Sequence, residues 1–171
     1  LANILLNHVI AGSVSSTDLG TLGAGYSTTN ATNADGDNLS LYINTSDGVV
    51  FNGISSVTTA DVTASNGIVH VVDAVIGLPT VVTFAAADPT FGTLVAALTQ
   101  EGLETDFLSV LSSSETLAPF TVFAPTNAAF GDLLSELGFD SLDSIAPALL
   151  ESVLKMHVIA SANVRSTDLE E

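Results

Sequence analysis

Hydrophobic spacing changes its period once along this chain, near residue 79. Between residues 20 and 79 apolar and polar positions mostly alternate, in a stretch rich in Gly, Thr, Asn, Ser and Val, which is the period of strands. Leu39-Ser40-Leu41-Tyr42-Ile43-Asn44 and Val49-Val50-Phe51-Asn52, joined by Thr45-Ser46-Asp47-Gly48, predict a hairpin with a Gly-containing turn. Gly67 to Ile76 is a nearly continuous β-branched run behind the turn signal Asn66-Gly67, and predicts a strand buried on both faces. Leu78-Pro79 ends it and marks a boundary.

From 80 onward the spacing is helical. Phe91, Leu94, Val95 and Leu98 form one apolar stripe, with Asp88-Pro89 as cap and first turn. A second helix is predicted over 101–111, with Leu103, Phe107, Leu108 and Leu111 inward. Phe120 to Pro125 reads as a strand stopped by its proline. A helix carrying Phe130, Leu133, Leu134 and Leu137 follows and ends at Gly138. Another runs from Ala146-Pro147 through Leu149, Leu150, Val153 and Leu154 to His157. Strands and helices in separate stretches, rather than alternating, predict an α+β fold.

A repeat underlies the pattern. Leu5-Leu6-Asn7-His8-Val9-Ile10-Ala11 returns as Leu154-Lys155-Met156-His157-Val158-Ile159-Ala160, and Ser16-Thr17-Asp18-Leu19 as Ser166-Thr167-Asp168-Leu169. The histidines stand 149 positions apart and the serines 150. Chance does not set two such matches in register, so the chain holds slightly more than one period of a repeating unit. Residues 1–8 are accordingly expected to be the tail of a helix like the one ending at His157.

Composition narrows the functions open to such a chain. Hydrophobic residues make up 47% of its 171 positions, enough for a packed core. Nineteen acidic residues face only Lys155 and Arg165, a formal charge of −17. That excludes phosphate-backbone binding and attraction to anionic membranes, and leaves sodium, calcium or a basic partner as counter-charge. Acidity of this kind is expected chiefly to solvate the surface. The absence of cysteine removes disulfides, thiolate catalysis and cysteine-held zinc. No apolar run approaches a membrane span, and no signal peptide follows Leu1, as expected if one was removed or if the stretch is interior to a longer chain.

Candidate chemistry is sparse. His8 and His157 are copies of one another, which leaves one of them plus His70 per unit. His70, in a Val-rich strand, is expected to be a buried, hydrogen-bonded histidine, because metal sites need three or four converging groups. There is no Gly-x-Ser-x-Gly elbow, Gly23-Ala24-Gly25 lacks a strand-turn-helix setting, and the pairs Glu101/Glu104 and Glu170/Glu171 read as solvated surface or terminus. No enzyme is expected. Asn33, Asp35 and Asp37 around Gly36 are the candidate calcium ligands; without a distal Glu, the same string reads first as an ordinary turn. No other cofactor is expected. Asn30, Asn38 and Asn44 head glycosylation sequons.

Thr121 to Phe130, with Thr121, Phe123, Pro125, Thr126 and Asn127, resembles the first signature box of the fasciclin family of adhesion domains. Gly67 to Pro79, with His70, resembles the second box, and the His8 and His157 segments resemble the central Tyr-His segment, with Asn7 and Met156 in place of the Tyr. The resemblance implies a β-sandwich-like wedge with helices packed along one side. It also implies extracellular or cell-surface adhesion, matrix contact or cohesion. The boxes stand in reverse order, so residues 1–79 resemble the C-terminal part of one domain and 80–171 the N-terminal part of the next. A window of a tandem array explains this more simply than a permuted single domain, since two copies of one helix cannot fill one site at native density. Exchange between separate chains meets the same competition between residues 1–19 and 150–169. The expected partners are copies of the chain or neighbouring tandem domains, joined end to end into a fibre or stalk. The alternative is a glycan- or protein-binding surface module without self-assembly. Nucleic acid and membrane insertion are not expected.

Overall fold

The computed structural model describes residues 1–114 and 117–169, so the Glu170/Glu171 pair lies outside the described residues. It forms two compact units, Leu1–Pro79 and Thr80–Glu171.

The first unit begins with α1 (Ala2–Leu6) and α2 (Ser16–Leu22), followed by an antiparallel meander. Its strands are β1 (Ala24–Thr32), β2 (Asn38–Asn44), β3 (Val50–Phe51), β4 (Ser55–Ala64) and β5 (Gly67–Val72), and the sheet keeps that order. The expected hairpin is present: Ile43 pairs with Phe51 and Asn44 with Val50. Leu41 and Ile43 join Leu19, Phe51 and Ile76 in the core, while Tyr42, on the other face of β2, is buried against the ring of Tyr26. The helix α2 was not anticipated. Ser15 caps it, taking the Asp18 N–H on its hydroxyl while its own N–H donates to the Asp18 carboxylate at 2.8 Å.

The expectation for Gly67–Ile76 needs correction. The strand stops at Val72, bonds only to β4, and leaves Val69 and Val71 about half exposed. β-Branched composition favours extended backbone but does not distinguish an edge from a sheet centre. Of the run, only Ile76, beyond the strand, is fully buried.

The second unit contains α3 (Val81–Ala87), a short 3-10 turn at Pro89–Phe91, α4 (Gly92–Leu98), α5 (Phe107–Ser112), β6 (Phe120–Val122), α6 (Asn127–Leu137), α7 (Pro147–Met156) and β7 (Val158–Ala160). Strands β6 and β7 pair antiparallel, Thr121 opposite Ile159. Leu94, Leu98, Phe107, Leu111, Phe130, Ile145, Leu150 and Leu154 make the core, so Leu94 and Leu98 of α4, Phe130 of α6 and Leu150 and Leu154 of α7 face inward as predicted, whereas Leu137 and Leu149, placed on the same stripes, are about half exposed. Asp88 caps the Pro89 turn through the Thr90 N–H, and Gly138 ends α6 at a φ of 71°. The helix expected over 101–111 starts only at Phe107. Gly102 takes a φ of 86° and Asp106 caps at the Ser109 N–H, so the segment before it is a turn. No single helix among the described residues is long and apolar enough to cross a membrane.

That turn is held by a carboxylate. Glu151 of α7 is buried, and it accepts Lys155 Nζ at 2.6 Å, Thr105 Oγ1 at 2.6 Å and the Glu104 N–H at 2.8 Å. These bonds, that from Lys155 first, hold its pKa down from 4.5 to about 2. Because the folded value is the lower one, the stabilisation is complete above about pH 4.5 and is lost as the pH falls toward 2. The melting temperature of this unit should drop across that window. Glu151→Gln should flatten the slope and lower the melting temperature at pH 7 by several degrees, as followed by circular dichroism.

Candidate functional site

The residues marked in the sequence assemble around the two copies of the histidine segment. In the first unit α1 ends at Asn7-His8. His8 Nδ1 faces the Ile4 carbonyl at 2.8 Å and must donate to it, so Nε2 is left to accept the Ile76 N–H at 2.9 Å. Asn7 is 0% exposed; its amide donates to Gly77 O at 2.8 Å and its Oδ1 accepts Thr29 Oγ1 at 3.0 Å. The second box is thereby clamped to the histidine segment at Ile76–Gly77. His70 is half-buried rather than buried, donates Nε2–H to Val14 O at 2.8 Å, and lies with His8, Ile10 and Ile76 along one groove of this unit. Its other nitrogen takes the Asp61 N–H at 3.4 Å, and Asp61 bonds both the N–H and the hydroxyl of Ser16 at the start of α2. Those two bonds from Ser16 hold the Asp61 carboxyl below the usual range.

The first box does equivalent work in the second unit. Thr121 Oγ1 donates to Ala162 O at 2.9 Å and accepts the Val164 N–H at 2.8 Å, while Phe123 N–H donates to the His157 carbonyl at 2.9 Å. Thr126 caps α6 through the Ala129 N–H. Asn127 bridges, accepting the Thr93 N–H at 2.8 Å and donating to Pro89 O at 2.9 Å. Pro125 lines an apolar groove of about 170 Å³ with His157, Val82, Phe84, Leu98 and Val158.

Comparison of the two copies exposes a feature that the sequence did not reveal. Leu150 and Leu154 of α7 are 0% and 3% exposed, whereas Leu1 and Leu5 at the same repeat positions are 94% and 62% exposed. The order reverses two residues later, where Asn7 is 0% exposed and Met156 is 83%. Positions 5 and 7 project from opposite sides of a helix. The same helix is therefore covered on one flank in the first unit and on the other flank in the second. The Ser-Thr-Asp-Leu copies keep one local geometry: the Ser15 N–H meets Asp18 Oδ2 at 2.8 Å, and the Arg165 N–H meets Asp168 Oδ2 at 2.8 Å.

At the candidate calcium site, Asn33 Oδ1 accepts the N–H groups of Asp35 and Asp37 at 3.0 and 2.9 Å, and Asn33 Nδ2 reaches Asp37 Oδ2 at 3.2 Å. This is an Asx turn joining β1 to β2. The three side chains sit together on that turn, and no cluster of three His, Cys, Asp or Glu fit to hold a metal ion occurs among the described residues.

Helices with an antiparallel sheet, and two signature boxes tied to a duplicated histidine segment, define a fasciclin-type module. The fasciclin domain model matches residues 1–79 and 89–171, and the chain belongs to that family. Among solved structures it is similar to a FAS1 domain pair from the insect cell adhesion molecule fasciclin I. The match covers 98% of this chain and 58% of that one, at a TM-score of 0.55 and 23% identity. The shared feature is the fold, and the α+β class expected from the sequence is borne out.

Proposed function

We propose that this chain is a non-enzymatic adhesion or scaffold segment of the cell exterior, whose fasciclin-like units join end to end into a fibre or stalk. In this reading residues 1–79 are the C-terminal part of one domain and residues 80–171 the N-terminal part of the next. The observation that carries it is the opposite-flank burial of the repeated helix. Each unit leaves bare the side of the helix that the other covers, so each presents an apolar face suited to a partner carrying the other half. A contact of that kind is heterologous and does not close on itself, which makes strings rather than rings. Family membership and the likeness to a pair of domains from a cell adhesion molecule support the adhesive role.

Charge sets the conditions. At −17 the copies repel one another, so association should strengthen as ions screen the surface. Calcium, through the Asp35–Asp37 turn or simply as a divalent counter-ion, should act at lower concentration than sodium. Electron microscopy of concentrated protein with sodium or calcium should show elongated strings of repeating particles. Dispersed globular particles under every condition would overturn the fibre.

A further inference from the structure

We propose that the contact between His8 and Ile76 is an acid-sensitive latch, closed while the His8 ring is neutral and released when the ring takes up a proton. Both halves of the latch lie in the Leu1–Pro79 unit, so it stands whatever partner the chain meets. His8 Nδ1 is 2.8 Å from the Ile4 carbonyl, an oxygen that can only accept, so this nitrogen carries the hydrogen. Nε2 is left with a lone pair, which holds the Ile76 N–H at 2.9 Å. His157 repeats the pose, donating from Nδ1 to the Val153 carbonyl at 2.8 Å, four residues back. The helix end itself therefore sets which nitrogen accepts. An imidazolium carries hydrogen on both nitrogens. Proton uptake turns the acceptor into a second donor, and the Ile76 N–H then faces an N–H and a positive charge.

What responds is the end of the second box. Ile76 packs with Leu19, Leu41, Ile43 and Phe51 and is the buried residue of its run. When the latch opens, Asn7 still holds Gly77 O, Asn3 still holds Thr32, and Val9 O still accepts the Asn30 N–H. α1 therefore stays in place and only the Ile76 segment loosens. His70 lines the same groove but answers acid differently. Its Nδ1 accepts the Asp61 N–H at 3.4 Å, a weak bond, and the Asp61 carboxylate attracts a charged His70 ring. A proton there exchanges a weak bond for an attraction. His8 has no such compensation, since no carboxylate pairs with it among the described residues. Asp18 is bonded to Ser15, Asp61 to Ser16 and Asp73 to the Ser56 N–H at 2.7 Å. Asp35, Asp37 and Asp47 stand on the turns that flank β2, and β1 and β2 add only Tyr26 and Tyr42, uncharged in mild acid.

Histidine changes charge between about pH 5 and 8, above the range in which Glu151 responds and in the other unit. Amide exchange on the intact chain, read by NMR at about pH 7.5 and about pH 5 and corrected for the intrinsic rate at each pH, tests the latch. Protection of the Ile76 amide should fall about tenfold at the lower pH, the effect of losing one hydrogen bond. The Tyr42 amide, held by Asn52 at 2.9 Å, should keep its protection. His8→Gln offers an amide oxygen that does not titrate and should hold Ile76 equally at both pH values, while His70→Gln should leave the fall intact. Equal protection of Ile76 at both pH values in the unaltered chain would overturn the latch. So would a fall that persists in His8→Gln, or one that His70→Gln abolishes. The ring nitrogen shifts of His8 give a check that needs no variant: a protonated ring beside an Ile76 amide protected as before also removes the latch.

Discussion

Truncating Leu150 to Ala should destabilise the Thr80–Glu171 unit by about 2–5 kcal/mol, while Leu1→Ala, at the same position of the repeat, should change stability by less than about 0.5 kcal/mol. Leu150 is fully buried, among Leu94, Phe107, Phe130 and Leu154 in one cluster, and its removal opens a cavity that rigid helices close only in part. Leu1 is 94% exposed and has little packing to lose. Urea denaturation combined with amide exchange in α7 measures the first effect without assuming that both units unfold together. Equal losses at the two positions would mean that both copies of the helix are packed alike in solution, and would remove the basis of the end-to-end reading.

Asn7→Ala should cost the Leu1–Pro79 unit about 1–3 kcal/mol, because it removes a fully buried amide that bonds Gly77 O and Thr29 Oγ1. Met156→Ala should lie within about 0.5 kcal/mol of wild type, as expected of an exposed site. The two substitutions form the mirror image of the leucine pair: at one step of the repeat the second copy is the sensitive one, and two residues later the first copy is. Exchange protection of the Ile76 amide, which donates to His8, should fall with Asn7→Ala and stay unchanged with Met156→Ala. Protection that survives Asn7→Ala would show that His8 alone clamps the second box.

Several elements were legible because their signals are local. The turn Thr45–Gly48 and the strands beside it, the Asp88-Pro89 start, and the Gly138 stop of α6 each rest on residues a few positions apart. α3 was missed because Val81-Val82-Thr83-Phe84-Ala85-Ala86-Ala87 is apolar save for Thr83 and shows no helical period. α2 could have been found: Ser15 and Asp18 form a capping box in plain view, inside a stretch read only as the marker of a repeat. The start of α5 was placed too early because Leu103 continues the apolar spacing, although Gly102 and Asp106 both signal a turn and a cap.

From its own residues the chain determines its α+β character, its family, its acidity and the duplication of the histidine segment, since each is written in spacing, composition or motif. Tertiary structure alone decided which flank of each copy is buried. The partners that cover Asn7 lie 22 and 70 residues away, at Thr29 and Gly77, and the core cluster that Leu150 joins draws its other buried members from α4, α5, α6 and the loop at Ile145, besides Leu154 of α7 itself. Two nearly identical helix ends carry the same local instructions, and burial depends on what the rest of the chain brings against them.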